Sequence, residues 1–177
     1  MDDLTRAIRQ LLDAVHRHAL TPEEALQRLA YLPFERLPYA RPDHHRLLRQ
    51  GIPEAIYCPG KTPDQVADLA ARAYARTGQL LATRADEAHF RAVRERVPAA
   101  HYLAVPRLIL APFPRPATRP GEVAVLTGGT SDLPVAEEVA ATVEFLGHRA
   151  QRYYDVGVAG LHRLLADLPA WSRAHVL

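Results

Sequence analysis

Two stretches in the second half of the chain that read as strands, the apolar run Val123–Leu126 and Ala150–Tyr154, each stop at a loop of small residues, and each loop opens a helical pattern. Strand, loop and helix in that order, given twice in succession, describe parallel βα units, because parallel neighbours need a crossover and a helix supplies it. The first loop reads Thr127-Gly128-Gly129-Thr130-Ser131-Asp132 and leads into a helix over Leu133–Leu146, with Gly147 as its stop. The second reads Asp155-Val156-Gly157-Val158-Ala159-Gly160-Leu161-His162-Arg163 and leads into a helix ending near Leu168. Backbone N–H groups at a helix start are unpaired and carry the positive end of the dipole, so such a loop is a place to hold a phosphate or carboxylate. In open parallel sheets the ligand lies outside the carboxyl ends of the strands, which puts both loops at one rim. The chain closes on Ala174-His175-Val176-Leu177, the beginning of another strand. Two strands and a stub cannot cover two helix layers, so this part reads as an incomplete domain or one completed from outside.

Upstream, Leu4–Ala19 carries Ile8, Leu11, Leu12 and Val15 at helical spacing. Thr21-Pro22-Glu23-Glu24 then has the form of a capping box, with Thr21 as N-cap, Pro22 at the first helical position and Glu24 reaching back. Phe34–Gly51, Arg-rich and interrupted by Pro38 and Pro42, reads as a loop or extended arm. Strands are expected at Pro53–Cys58, Leu80–Thr83 and Arg107–Leu110, and helices at Asp64–Arg76 and Asp86–Val97, giving a sheet covered by helices. Pro112, Pro114, Pro116 and Pro120 each remove a donor and fix φ, so 111–121 is expected to be a linker between a small α/β domain at 1–110 and a second domain at 122–177.

The 22 basic and 20 acidic residues leave a net charge of +2 with no basic block, which argues against nucleic acid as partner. No apolar run approaches the roughly 18 residues of a membrane span, and the acidic start Met1-Asp2-Asp3 is unlike a secretory signal. Cys58 is the single cysteine, so no intrachain disulfide can form and the cytoplasm is the expected compartment. Asn is absent and Lys61 is the sole lysine, a pattern that a codon bias towards Arg and Ala explains. Lys61 lies in Gly60-Lys61-Thr62 where a strand meets a helix; it is a candidate phosphate contact, without the upstream glycine of a Walker A loop. Thr83 and Arg84, at the next strand end, are comparable candidates. Asp43-His44-His45-Arg46 invites a metal reading, but adjacent histidines in an extended segment point to opposite faces, and no metal site is expected there.

The strings Thr127 to Ala140 and Asp155 to Leu165, with Asp43–Arg46, Gly51–Ile56 and Gly60–Thr62 in the same order, resemble the LarB family of nickel-pincer cofactor biosynthesis proteins. The resemblance implies an amino-terminal domain followed by the first part of a flavodoxin-like, doubly wound parallel sheet, a carboxylase domain similar to that of aminoimidazole ribonucleotide carboxylase. It implies carboxylation of the pyridinium ring of nicotinic acid adenine dinucleotide by carbon dioxide, with hydrolysis of the phosphoanhydride, to give pyridinium-3,5-biscarboxylic acid mononucleotide and AMP. Carbon dioxide is then a co-substrate, no resident cofactor is called for, magnesium is compatible, and the intact protein is expected to be a homo-oligomer. Family members continue past the position of Leu177, through a segment carrying the cysteine that attacks the pyridinium. These 177 residues alone are therefore expected to be inactive, and Cys58 does not inherit that role.

Ser131 and Asp132 match the Ser-Asp pair of the wider carboxylase family and are assigned catalytic roles on that resemblance, with Gly128, Gly129 and Thr130 as substrate contacts; the plain alternative is a helix cap. His162 matches an acid–base histidine of the purine carboxylases, although Leu161 stands where they have alanine; imidazole can move the ring proton near neutrality, and a surface histidine is the alternative. Arg163 can pair with a phosphate or carboxylate. Gly157 and Gly160 permit tight backbone at a ligand-facing loop, and Asp155 can accept from a ribose hydroxyl, though turns use both residue types. Two other readings stay open: an aminoimidazole ribonucleotide carboxylase or mutase, and a piece that binds nucleotide without turnover. A dehydrogenase is disfavoured because the first loop lacks Gly-x-Gly-x-x-Gly.

Overall fold

A computed structural model describes residues 3–29, 37–43, 46, 50–114, 116–118 and 121–177. Within it the chain divides into two compact units, Met1–Glu54 and Ala55–Leu177. His44 and His45 of the considered metal motif, residues 34–36 and 47–49 of the Phe34–Gly51 arm and Pro120 of the proline segment fall outside the described residues.

The first unit contains α1 (Asp3–His16) and α2 (Pro22–Leu29). The capping box at α2 forms as its residues require: Glu24 N–H donates to Thr21 Oγ1 at 3.1 Å and Thr21 N–H to Glu24 Oε2 at 2.8 Å. These bonds hold the Glu24 carboxyl below its ordinary range.

The second unit is mixed α/β. A four-stranded sheet has the order β1 (Ala55–Tyr57), β2 (Leu80–Thr83), β4 (Leu108–Ala111), β3 (His101–Leu103), with helices α3 (Pro63–Thr77) and α4 (Glu87–Arg96) between its strands. β1 and β2 are parallel, while β4 is antiparallel to both β2 and β3. The antiparallel hairpin at 101–111 departs from the sequence reading, which has no strand at His101–Leu103. Three residues are too few to show a period of two, and the turn ends on Arg107 at φ +56°, a conformation more usual for Gly, Asn or Asp. α3 is bounded as its sequence dictates, by the Thr62–Gln65 capping box, Pro63 in its first turn and Gly78 at φ +65°.

A second, parallel sheet pairs β5 (Glu122–Leu126) with β6 (Arg149–Tyr153), joined by α5 (Leu133–Phe145). The closing segment lies on the free edge of β5. His175 N–H donates to Glu122 O at 2.8 Å and Ala124 N–H to Val176 O at 2.9 Å, a parallel bridge between Val123 and Val176. The spatial order is therefore β6, β5, then 174–176. Successive connections from β5 and β6 go to opposite sides of β5, the reversal that marks a ligand crevice in doubly wound sheets. The helix expected to run to Leu168 breaks at Asp167 into α6 (Leu161–Ala166) and α7 (Leu168–Trp171), since Pro169 has no N–H to continue the ladder.

α5 is shared by the two sheets. Its Ala141 and Phe145 pack on Leu81, Leu108 and Leu110, which the period-two register places on one face of the first sheet. One stripe round, Ala136 and Ala140 pack on Val125, with Val123 and Ala150 alongside. Arg152 fastens β6 to the same helix, donating from Nε to Glu137 Oε1 at 3.2 Å and from Nη2 to Glu144 Oε2 at 3.1 Å. The proline segment 111–121 thus lies between elements that share one helix.

Candidate functional site

The loop after β5 is a short 3₁₀ turn, Thr130–Asp132, that runs directly into α5. Asp132 folds back on it: Gly129 N–H donates to Asp132 Oδ2 at 3.0 Å, and Asp132 N–H to Gly129 O at 3.1 Å. One carboxylate thereby satisfies one amide of the turn and puts a negative charge beside Gly128–Gly129. Thr130 and Ser131 are exposed in the turn that precedes the helix.

The two glycine loops are brought together by backbone. Thr127, buried at 6% exposure, donates its N–H to Tyr153 O at 3.0 Å and accepts at its carbonyl from Val156 N–H at 2.9 Å. Its hydroxyl oxygen accepts from Asp155 N–H at 3.2 Å. Two residues on, Gly157 lies so close to Gly128 that a Cβ there would come within 2.6 Å of the Gly128 carbonyl oxygen. That oxygen is main chain and cannot step aside, so a close approach, not a turn, requires glycine at 157. Asp155, at φ +56°, forms an ion pair with Arg163, whose guanidinium lies over Gly160. Gly160 N–H donates to Gly157 O at 2.9 Å. His162 is exposed in the first turn of α6 beside Arg163. Gly128, Gly129, Asp132, Asp155, Gly157, Gly160 and Arg163 are thus one connected group, and Thr130, Ser131 and His162 are exposed beside them in the chain.

Lys61, Thr83 and Arg84 belong to the corresponding rim of the other sheet, where β1 and β2 end side by side. Cys58 N–H donates to Thr83 O at 3.1 Å across that rim. The Lys61 ammonium is turned onto its own segment and donates to Tyr57 O at 2.5 Å. Arg84, at φ +55°, reaches Glu138 of α5, with Nε 3.0 Å from Oε2. Arg107 supports this corner by donating to Ala85 O at 3.0 Å and Arg84 O at 3.3 Å. His89, buried, ties the two segments, with Nε2 3.1 Å from Lys61 O and its main-chain N–H donating to Asp86 Oδ1 at 2.9 Å. That bond is the main reason the Asp86 carboxyl is held below its usual range. Sequence reasoning missed Thr127, His89, Arg107 and Glu138 as residues that shape the rims, because each acts through a long-range bond that no local pattern encodes.

Cys58 is fully buried, and burial pushes its thiol up to about 11, with Asp86 acting in the same direction and Lys61 and Arg107 against it. Such a thiol is no nucleophile at neutral pH. Among the described residues no group of three or more His, Cys, Asp and Glu could hold a metal ion, and no helix is long and apolar enough to cross a membrane. A cavity of about 430 Å³, lined by Phe113, Pro114, Glu122, Glu144, His148 and Arg149 among others, opens at the amino ends of β5 and β6, the edge opposite the glycine loops.

The sequence model of the LarB/PurE-like N-terminal domain matches residues 34–112, which include the first sheet with its rim. An uncharacterized protein of Methanocaldococcus jannaschii is 33% identical over 132 residues, covering 71% of this chain and 52% of that protein. The chain thus spans about half the length of the curated relative it matches. Over residues 34–112, somewhat less than half of its length, the chain is thus similar to the LarB/PurE-like N-terminal domain.

Proposed function

We propose that the chain is part of a carboxylase of the LarB type, which adds carbon dioxide to the pyridinium ring of nicotinic acid adenine dinucleotide and hydrolyses the phosphoanhydride to release AMP. The carrying observation is the joined pair of glycine loops, Gly128 against Gly157, at the carboxyl edge of two parallel strands and at the reversal of strand order. The family match at 34–112 supports the same reading from the other half of the chain.

In this reading the amides and hydroxyls of Thr130 and Ser131 receive a phosphate, at the positive end of α5. Asp132 serves first as the brace of that turn, since its carboxylate already accepts from Gly129 N–H. Arg163, held by Asp155, offers a planar fork to a phosphate or carboxylate. His162 takes the proton that leaves the ring carbon when the new carbon–carbon bond forms, and water supplies the oxygen that cleaves the phosphoanhydride. Carbon dioxide is the co-substrate, magnesium stays compatible, the assembly is a homo-oligomer, and the place of action is the cytoplasm. The nucleophilic cysteine of the family is not Cys58, whose thiol is sealed in the first sheet. Lys61, Thr83 and Arg84 form a second group of candidate contacts for the same dinucleotide, with Arg84 exchanging Glu138 for a phosphate.

The test offers the complete protein nicotinic acid adenine dinucleotide and, separately, aminoimidazole ribonucleotide, each with bicarbonate. AMP release from the first and no turnover of the second is the expected result. Turnover of the ribonucleotide alone would move the protein to the purine-pathway reading, and saturable binding of the dinucleotide without AMP would leave a binding module.

A further inference from the structure

The described residues bury two polar side chains, His89 and Thr127, and Thr127 sits at the junction of the two glycine loops. Burying a hydroxyl is unfavourable unless it is bonded, so the position calls for an account. Thr127 makes three bonds to the strand exit that follows β6: to Tyr153 O and from Val156 N–H through its main chain, and from Asp155 N–H through its hydroxyl. The two main-chain bonds continue the parallel ladder and would form with any residue. The hydroxyl bond is the extra one, and it falls on Asp155, which is left-handed at φ +56° and carries the ion pair to Arg163. A residue other than glycine is uncommon in that conformation, and the bond from its N–H to Thr127 is one contact that holds it there.

We infer that Thr127 is a positioning residue of the proposed site: its buried hydroxyl holds Asp155 left-handed, and through Asp155 it sets the guanidinium of Arg163 over Gly160 at the joined glycine loops. The inference rests on the carboxylase reading and adds what fixes the loop spacing for a bound phosphate or carboxylate. The hydroxyl touches no substrate. Its effect reaches the ligand through the order Thr127, Asp155, Arg163, with Gly157 seated on Gly128 O as the fulcrum.

The experiment uses the complete protein and compares Thr127→Val, which keeps the shape and removes the acceptor, with Thr127→Ser, which keeps the hydroxyl. Loss of the one hydrogen bond that the Thr127 hydroxyl makes to Asp155 predicts a rise in KM for the dinucleotide of about tenfold with kcat little changed. Thr127→Ser is expected to return KM close to wild type. A purely structural role would lower the thermal midpoint of Thr127→Val and leave KM untouched, and that outcome overturns the inference. If Thr127→Val does not fold, hydrogen exchange of the 153–158 segment in the wild-type protein decides instead. Saturating dinucleotide is expected to slow exchange at Asp155 and Val156, and unchanged exchange overturns the inference. Failure of the wild type to turn over the dinucleotide would remove the carboxylase reading itself, whereas normal turnover with an unchanged KM in the valine variant would remove only the role of Thr127.

Discussion

At the residue scale, glycine and cysteine illustrate how position decides chemistry. Gly157 and Gly160 look alike in the sequence, both in a small-residue loop after a strand, yet a Cβ at 157 meets a carbonyl oxygen and one at 160 meets the movable end of Arg163. Gly157→Ala is therefore expected to push the two loops apart and to weaken dinucleotide binding by about tenfold or more, on the usual scale for a main-chain clash of a few kcal/mol. Gly160→Ala leaves the Gly128–Gly157 contact in place and displaces the Arg163 guanidinium, so it is expected to lose the Arg163 contact alone, and titration calorimetry of both variants of the complete protein reads the difference. Cys58 is legible as a lone cysteine but its inertness is not, because burial by β1, β2 and their neighbours is a tertiary fact. Its folded pKa of about 11 lies above the ordinary 9.0. The unfolded chain therefore loses this proton first as pH rises, so the contribution is intact below 9 and is lost between about 9 and about 11. Denaturant unfolding at stepped pH should show that decline in the wild type and a shallower one in Cys58→Ala. Iodoacetamide at neutral pH should leave the folded thiol unmodified and label it once denaturant is added.

At the element scale, what the sequence makes readable is what is local. The Thr21–Glu24 box, the Thr62 cap before Pro63, the stop at Gly78 and the apolar runs of β2, β4 and β5 all follow from neighbouring residues. The hairpin strand at His101–Leu103 does not, since it is recruited by pairing with β4 and by the left-handed turn residue Arg107. α5 shows the same limit in another form. Its residues are apolar on more than one side, yet Val135 and Val139 stay exposed, and which stripes are covered is settled by Leu81, Leu108 and Leu110 on one and Val125 on the next. Phe145 is fully buried where α5 meets the first sheet. Phe145→Ala is expected to cost about 3–5 kcal/mol, read as a shift in the denaturant midpoint.

At the scale of the whole molecule, the site was legible as two loops and not as one object. The strings around Gly128 and Gly157 point to a common rim, but their contact through Gly128 O and their tie through Thr127 need the folded strands. The same holds for the first sheet, whose rim was expected to offer Lys61 and Arg84 to a phosphate. The structure engages Lys61 with Tyr57 O and Arg84 with Glu138, so either cation must leave a protein partner to reach a ligand. The Arg84–Glu138 pair also joins the rim of the family-matched segment to α5 of the glycine-loop sheet, which makes the two sheets one mechanical unit around a shared helix. The central proposal is that this framework is part of a pyridinium carboxylase. Its most direct test supplies the complete protein with nicotinic acid adenine dinucleotide and ¹³C-bicarbonate and follows both products by mass spectrometry. The account predicts AMP and a mononucleotide carrying one added labelled carboxylate, released in equal amounts. A mononucleotide without the label, or a dinucleotide left intact by folded protein, would contradict it.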